Sequence, residues 1–320
     1  MRPCEEHGRI IMKIINKKFL IQLSISLICL YYAFSGIELS GLWGTVQNYS
    51  LNSMLFAFFI SIFSYLALGL RLRYMRVPAL PFWDCVKAGL LCLGANNIFP
   101  AKAGEIIKAA WLSRKNKFPF AAALGIVFWE RFFDVNMLLL IGVWTAWTLS
   151  IDSGLFTGIF ILAVVWITLI FAKRNPSFFP ALFSKIKVSK LTDFIVKLQE
   201  EVNSNMTLKS LSWLMISTAI VWTSYAAGGI YSYKYIAELN VTVTQGLCIF
   251  AISSLGMLLP STPGAVGVYE ASTVLALSWF GIEKEQALGI ALFNHALQYI
   301  PTTLLGGAVF LKQGLGNIKA

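Results

Sequence analysis

The chain has 320 residues, 57% hydrophobic and 14% aromatic with only 13% charged. Apolar runs of roughly twenty residues recur, long enough to cross a hydrocarbon core of ~30 Å, so a soluble domain is excluded and an all-α polytopic membrane protein is expected; the strand-type alternation of a β-barrel is absent. The formal charge of +11 does not point to nucleic acid, because the basic residues gather at the ends of apolar runs, as in cytoplasmic loops facing anionic headgroups.

Residues 1–18 carry Arg2, Arg9, Lys13, Lys17 and Lys18, a basic leader expected in the cytoplasm. Residues 19–39 form the first span, a signal-anchor helix without a small-residue cleavage site. Residues 38–52 lack Lys and Arg, as expected outside. Residues 51–70 return, and Arg71, Arg73 and Arg76 mark the cytoplasmic end. A shorter apolar helix over 84–99 then runs into a polar break, NNIFPAKAGE at 96–105, followed by a helix over 104–112 that bears Lys108. Basic residues flank this unit on both sides, with Lys87 before it and Arg114, Lys115 and Lys117 after it. A single crossing would strand one set outside, so a re-entrant hairpin is expected.

Residues 120–150 exceed one simple span and hold Glu130, Arg131 and Asp134, which predicts a tilted or two-part helix. Residues 154–172 return to Lys173 and Arg174. In 177–209, Lys185, Lys187, Lys190 and Lys197 alternate with Phe183, Ile186, Leu191, Phe194 and Leu198. This is either an amphipathic helix on an anionic membrane surface or a solvated linker. Spans over 211–233 and 243–259 lead to a second break, PSTPGAVG at 260–267. A short helix over 268–280 follows, and 285–311 closes the chain with a kink expected at Pro301. The count comes to about 7–8 transmembrane helices, two of them broken or re-entrant.

The two halves resemble each other. Residues 123–129, ALGIVFW, align with 287–293, ALGIALF. In that register Glu130, Arg131 and Asp134 fall on Asn294, His295 and Gln298. Pro100 and Gly104 share their spacing with Pro260 and Gly264. Each half reads span, span, broken helix, span with a polar cluster, which is the pattern of duplicated transporter folds. The expected division is 1–172 for the first membrane repeat, 173–209 for the basic linker and 210–320 for the second repeat. Lys234, Lys284, Lys312 and Lys319 are sparse, so inverted and parallel arrangements both stay open.

The five cysteines form no CxxC pair, and His7 and His295 are the only histidines, so no metal set, cofactor motif or hydrolase triad is expected. The chemistry rests on charges inside apolar segments, each costing ~2.5–3.5 kcal/mol at a helix centre. Glu130 and Asp134 share a helix face and Arg131 pairs with Asp134, leaving one net negative charge in search of a partner; alternatively the cluster anchors the helix at the interface. If Gly104 opens a half-helix, its free N–H groups, with Lys102 or Lys108, favour an anion such as a lipid phosphate. Glu105 then caps that end, pairs with Arg131 or exchanges a proton; the plainer reading is a capped helix start in a loop. In the second break Pro263, Gly264 and Gly267 permit close backbone approach, with Glu270 in the next turns and Asn294 and His295 as partners. The two breaks are expected to line a central polar cavity.

The motifs NNIFPAKAGEIIKAAWL, ERFFD and LLPSTPGAVGVYEAS resemble the lysylphosphatidylglycerol synthase transmembrane, or flippase-like, family. The shared positions are Asn97, Pro100, Gly104 and Glu105; Glu130, Arg131 and Asp134; and Pro260, Pro263, Gly264, Gly267 and Glu270. Two departures stand out: Ala101-Lys102 where many members have arginine after the proline, and Ala265 where glycine is common. The aminoacyl-transferring members add a large soluble domain, whereas this chain stops at Ala320. The resemblance therefore implies lipid translocation or lipid binding without a cofactor. The partners expected are membrane lipids, an anionic phospholipid or a polyprenyl-phosphate-linked glycan. The expected place is the cell inner membrane, N-terminus cytoplasmic. Two other readings are kept: an intramembrane transferase with Glu105 or Glu270 as base, and an accessory subunit that docks a soluble enzyme through 177–209.

Overall fold

The computed structural model describes residues 20–75, 79–100, 102–175 and 208–313. The basic leader, Arg76, Ala101 and most of the 177–209 stretch lie outside the described residues, so the expectations placed there are not addressed. All regular structure among the described residues is helical.

Helix α1 (Leu20–Phe34) turns by 79° into α2 (Leu39–Gln47). The first apolar segment therefore turns sharply at 35–38, near the end of the span expected over 19–39. The corner contains Gly36 at φ +74°, a left-handed conformation that glycine adopts without steric cost. Helix α3 (Leu51–Arg73) is a full-length apolar helix. Helix α4 (Phe82–Ile98) ends at Phe99, which is extended at φ −99° and ψ 142° as the residue before a proline must be. Helix α5 (Gly104–Asn116) doubles back against α4, forming the expected hairpin. Helix α6 (Phe120–Thr148) is one unbroken helix of 29 residues, so the two-part alternative falls away. Helix α7 (Asp152–Arg174) follows.

In the second half, α8 (Leu208–Tyr231) is prolonged by a π-helical turn, Ser232–Ile236. Helix α9 (Val243–Gly256) starts at a capping box between Thr242 and Gln245, which satisfies two otherwise orphaned donors. A 3₁₀ turn, Pro263–Ala265, separates it from α10 (Val268–Ser278). Helix α11 (Lys284–Gln313) continues through Pro301, and the hydroxyls of Thr302 and Thr303 bond back to the carbonyls of Gln298 and Tyr299. By length and composition α3, α7 and α8 are each able to cross a membrane, and the bent α1–α2 pair makes a fourth candidate.

Two apolar cores at opposite ends of the bundle show how the helices run. One gathers Leu72, Cys85, Ala109, Leu112, Ala122 and Leu214: the end of α3, the open end of the α4–α5 hairpin, and the starts of α6 and α8. The other gathers Leu42, Ala57, Tyr233, Ile249, Leu277 and Leu288: α2, the early part of α3, the end of α8, α9–α10 and the start of α11. Leu214 and Tyr233 are separated by about 28 Å along α8 at 1.5 Å per residue, close to a hydrocarbon thickness. Helix α3 connects the same two cores in the opposite direction.

The hairpin tips meet part-way along α11. Helix α4 packs antiparallel to α11, with Gly94 opposite Gly306 and Asn97 opposite Tyr299. A Cβ on Gly94 would lie 2.6 Å from the Thr302 carbonyl oxygen and 3.0 Å from Gly306 Cα, so the backbones touch through small residues. The second break reaches the same level of α11, because His295 and Tyr299 both contact Gly264.

Candidate functional site

The first site forms where α3, α5 and α6 converge. Glu130 and Asp134 lie four residues apart on α6 and face inward together. Arg71, in the last turns of α3, is fully buried; its Nη1 donates to Asp134 Oδ1 at 2.6 Å and its Nη2 to Glu130 Oε1 at 3.3 Å. Lys108 of α5 pairs with the other Glu130 oxygen. Arg131 lies 3.3 Å from both Glu105 Oε1 and Asp134 Oδ2. Trp222 of α8 donates to Asp134 Oδ1 at 2.9 Å. Three cations therefore face three carboxylates. That balance is what permits burial, since an unpaired ion here would carry several kcal/mol of desolvation penalty.

Exposure is uneven across this network. The side chains of Arg71 and Lys108 are 0% and 4% exposed, whereas that of Arg131 is 49% exposed. Arg131 is thus the cation that presents N–H donors outward. Lys102, at φ +53° in the break, is exposed and close enough to interact electrostatically with Arg131 and Glu105. Glu105 Oε2 is buried with no hydrogen-bond partner. These groups form a small cationic mouth beside an under-satisfied carboxylate.

The backbone plays a smaller part than the half-helix argument suggests. Gly104 N–H donates to Asn96 Oδ1 at 2.8 Å and Glu105 N–H to the Lys102 carbonyl at 3.2 Å. Two amides of the first turn are therefore already used, which leaves fewer backbone donors for an anion. Gly104 is needed for fit, because an added Cβ would strike the Cys92 carbonyl oxygen and lie 2.6 Å from Asn96 Oδ1.

The second site is built on the other break. Gly264 at φ +72° and Gly267 at φ +90° turn the chain after Pro263. Glu270 caps α10 by accepting Gly267 N–H at 2.7 Å and lies 2.5 Å from His295 Nδ1, while His295 Nε2 lies 2.8 Å from the Gly264 carbonyl oxygen. Asn97 ties the two sites together: its Nδ2 donates to the Tyr299 carbonyl and to the Thr302 and Thr303 hydroxyls, and Tyr299 Oη donates back to the Asn97 carbonyl.

The expected site residues thus separate into groups. Glu105, Lys108, Glu130, Arg131 and Asp134 come together, with Lys102 at their edge. Gly264, Gly267, Glu270 and His295 form the second cluster, while Pro100, Pro260 and Pro263 shape the breaks. Asn294 joins neither, and its buried Nδ2 has no partner. Between the two breaks Tyr299 touches both tips. A groove of about 730 Å³ lies between α3 and α8, bordered by Phe59, Ile60, Phe63, Ile216 and Ile220. Arg71, Trp222 and Tyr299 join these clusters without a local motif that marks them. The one sequence signal for Arg71 is the unmatched negative charge of the Glu130-Arg131-Asp134 cluster.

Residues 19–306 match the family described as the lysylphosphatidylglycerol synthase TM region. The chain is similar to a UPF0104 membrane protein of Methanocaldococcus jannaschii, at 24% identity over 217 residues covering 67% of this chain and 92% of that one. It is also similar to the glycosyltransferase AglD of Haloferax volcanii, at 20% identity over 252 residues covering 66% of this chain and 40% of that one. No solved structure matches it.

Proposed function

Because the chain belongs to the family of the lysylphosphatidylglycerol synthase TM region, we propose that it is an inner-membrane lipid translocator that binds the phosphate of an anionic or polyprenyl-linked lipid headgroup. The observation that carries this reading is the half-exposed Arg131, set above a buried neutral network and beside Lys102 at a hairpin tip. Guanidinium matches phosphate with two parallel N–H donors, and a lysine adds a point charge. In this reading the guanidinium comes from α6, and Lys102 stands where many family members have arginine in the break. A phosphate at Arg131 displaces Glu105, while Arg71 and Lys108 stay locked on Glu130 and Asp134.

The same reading includes an inverted internal repeat, with α3–α6 corresponding to α8–α11. Under that exchange the α4–α11 contact maps onto the α9–α6 contact, and the α3–α8 contact maps onto itself. In the register that the ALGI segments set, Arg131 maps onto His295, and Glu105 falls on Tyr269, one residue before Glu270. In this arrangement α1–α2, α3, α6, α7, α8 and α11 cross and the two hairpins re-enter, which accommodates the seven or eight membrane segments expected. Arg71, Arg73, Lys87, Arg114 and Lys115 lie toward the first core, which favours that end, and with it the N-terminus, as cytoplasmic.

The test is headgroup accessibility of a labelled anionic lipid in proteoliposomes. Arg131→Ala should slow its movement at least about tenfold, the loss of about one charge-assisted hydrogen bond or more. Movement equal to that of the unaltered chain would sink the proposal. A second reading, an intramembrane transferase, is favoured by the name of the glycosyltransferase relative, of which this chain spans less than half. That reading requires a covalently altered lipid, so mass spectrometry of lipids with and without the chain separates the two.

A further inference from the structure

The clamp on the second break contains one hydrogen more than a neutral imidazole and an ionised carboxylate supply. His295 Nε2 faces the Gly264 carbonyl oxygen at 2.8 Å; a carbonyl oxygen only accepts, so Nε2 bears a hydrogen. Nδ1 faces Glu270 Oε1 at 2.5 Å. A bare Nδ1 against an ionised carboxylate would set lone pair against lone pair, so this contact also holds a hydrogen. Whether it sits nearer nitrogen or oxygen, the pair carries one proton beyond a neutral imidazole and a carboxylate. We infer that His295 and Glu270 together are a binding site for one exchangeable proton, and that this proton latches the second break onto α11.

The placement makes the proton consequential. Both ends of the chain of bonds fall on backbone at positive φ: Gly264 accepts from His295 and Gly267 donates to Glu270. His295 and Glu270 are 7% and 3% exposed, so removing the proton leaves a poorly solvated carboxylate against a lone pair. The other titratable groups bordering the pair are the phenols of Tyr269 and Tyr299, with ring centroids 4.9 and 5.7 Å from the imidazole. Helix α1 meets the break through Ser26 and Leu30, α4 through Asn97 by way of Tyr299, and α9 meets α10 through Gly256 and Ser253, all uncharged. Among the described residues His295 is the charge partner within 4 Å of Glu270. Ser261 to Gly264 are partly exposed, which places the pair one hydrogen bond below the surface of the break. A rising pH therefore draws the proton out to water; the ionised carboxylate then repels the bare Nδ1, and the imidazole, with its Nε2–H, turns away from the Gly264 carbonyl. Tyr299 touches Gly264 and Asn97 alike, so the loss reaches the first hairpin tip. The latch stands independently of which lipid is moved.

The experiment uses the full chain in lipid nanodiscs. With ¹⁵N-labelled histidine, His7→Gln leaves His295 as the single imidazole, and its two nitrogens are followed between about pH 5 and about pH 10. The expected result is one titration at Nδ1 with Nε2 protonated throughout. In parallel, Ser261→Cys is labelled with a thiol reagent in the otherwise unaltered chain and with Glu270→Gln added. The glutamine amide supplies the missing N–H at every pH, so the ratio of the two rates cancels the thiol's own titration. That ratio should rise about fivefold or more across the His295 transition. A His295 spectrum that does not change over this range overturns the proposal, as does a flat ratio. If Glu270→Gln does not fold, the histidine titration decides alone.

Discussion

At the scale of single residues, the deciding quantity is how each charge is paired and how far it is buried. Glu130 accepts from both Arg71 and Lys108, and all three side chains are at most 4% exposed. Replacing it with glutamine leaves two buried cations with one fewer counter-charge, a change expected to cost about 3–5 kcal/mol. Arg131→Gln removes a half-exposed cation and should cost less than about 1 kcal/mol. Thermal melting in detergent, read by size-exclusion recovery, should therefore show Glu130→Gln well below the unaltered chain and Arg131→Gln near it. The reverse order would mean that Arg131 is structural and is not available to a ligand. The sequence anticipated the Arg131–Asp134 pair, because residues three apart on a helix meet, and offered Arg131 as one of the roles for Glu105. It did not anticipate Arg71, which lies among arginines that normally mark a cytoplasmic end; only the tertiary approach of α3 to α6 turns it inward.

At the scale of helices, small residues decide where backbones meet. Gly306 packs on α4 so closely that an added Cβ would be driven into the Leu90 carbonyl oxygen, whereas a Cβ on its neighbour Gly307 meets nothing within 4 Å. Gly306→Ala is therefore expected to destabilise the fold by about 1–3 kcal/mol through overpacking. Gly307→Ala should be neutral or stabilise it by up to about 1 kcal/mol, since alanine loses less backbone freedom in a helix. The matched pair is read by the same melting measurement; equal shifts would show that α4 and α11 are not in contact at this point. Hydropathy and prolines were enough to place α4, α5, α9 and α10 as broken helices. They did not reveal the corner at Gly36 in the first span, because apolar side chains continue on both sides of it. Nor did they foresee the seam of Asn97, Tyr299, Thr302 and Thr303, whose partners are about two hundred residues apart in the chain, a pairing that no local pattern encodes.

At the scale of the whole molecule, the two cores impose a direction on every helix that connects them. The α4–α5 hairpin opens at the core containing Leu112 and Leu214, and the α9–α10 hairpin opens at the core containing Leu277 and Leu288. If these cores lie at opposite membrane faces, Lys115 at the end of α5 and Glu283 before α11 belong to different compartments. Lysine counting alone left the second half unoriented, since its few basic residues fall at both ends. The packing supplies the missing constraint: α8 joins the two cores in one direction and α3 in the other. Both side chains are exposed, so Lys115→Cys and Glu283→Cys should fold normally and accept a membrane-impermeant maleimide. In intact cells Glu283→Cys should label and Lys115→Cys should not, becoming reactive only after permeabilisation. Labelling of both from one side would place the hairpins in parallel. Their tips would then be unable to meet on α11 from opposite directions, and the Tyr299 contact that joins the proton-holding break to the Arg131 hairpin would have no structural basis.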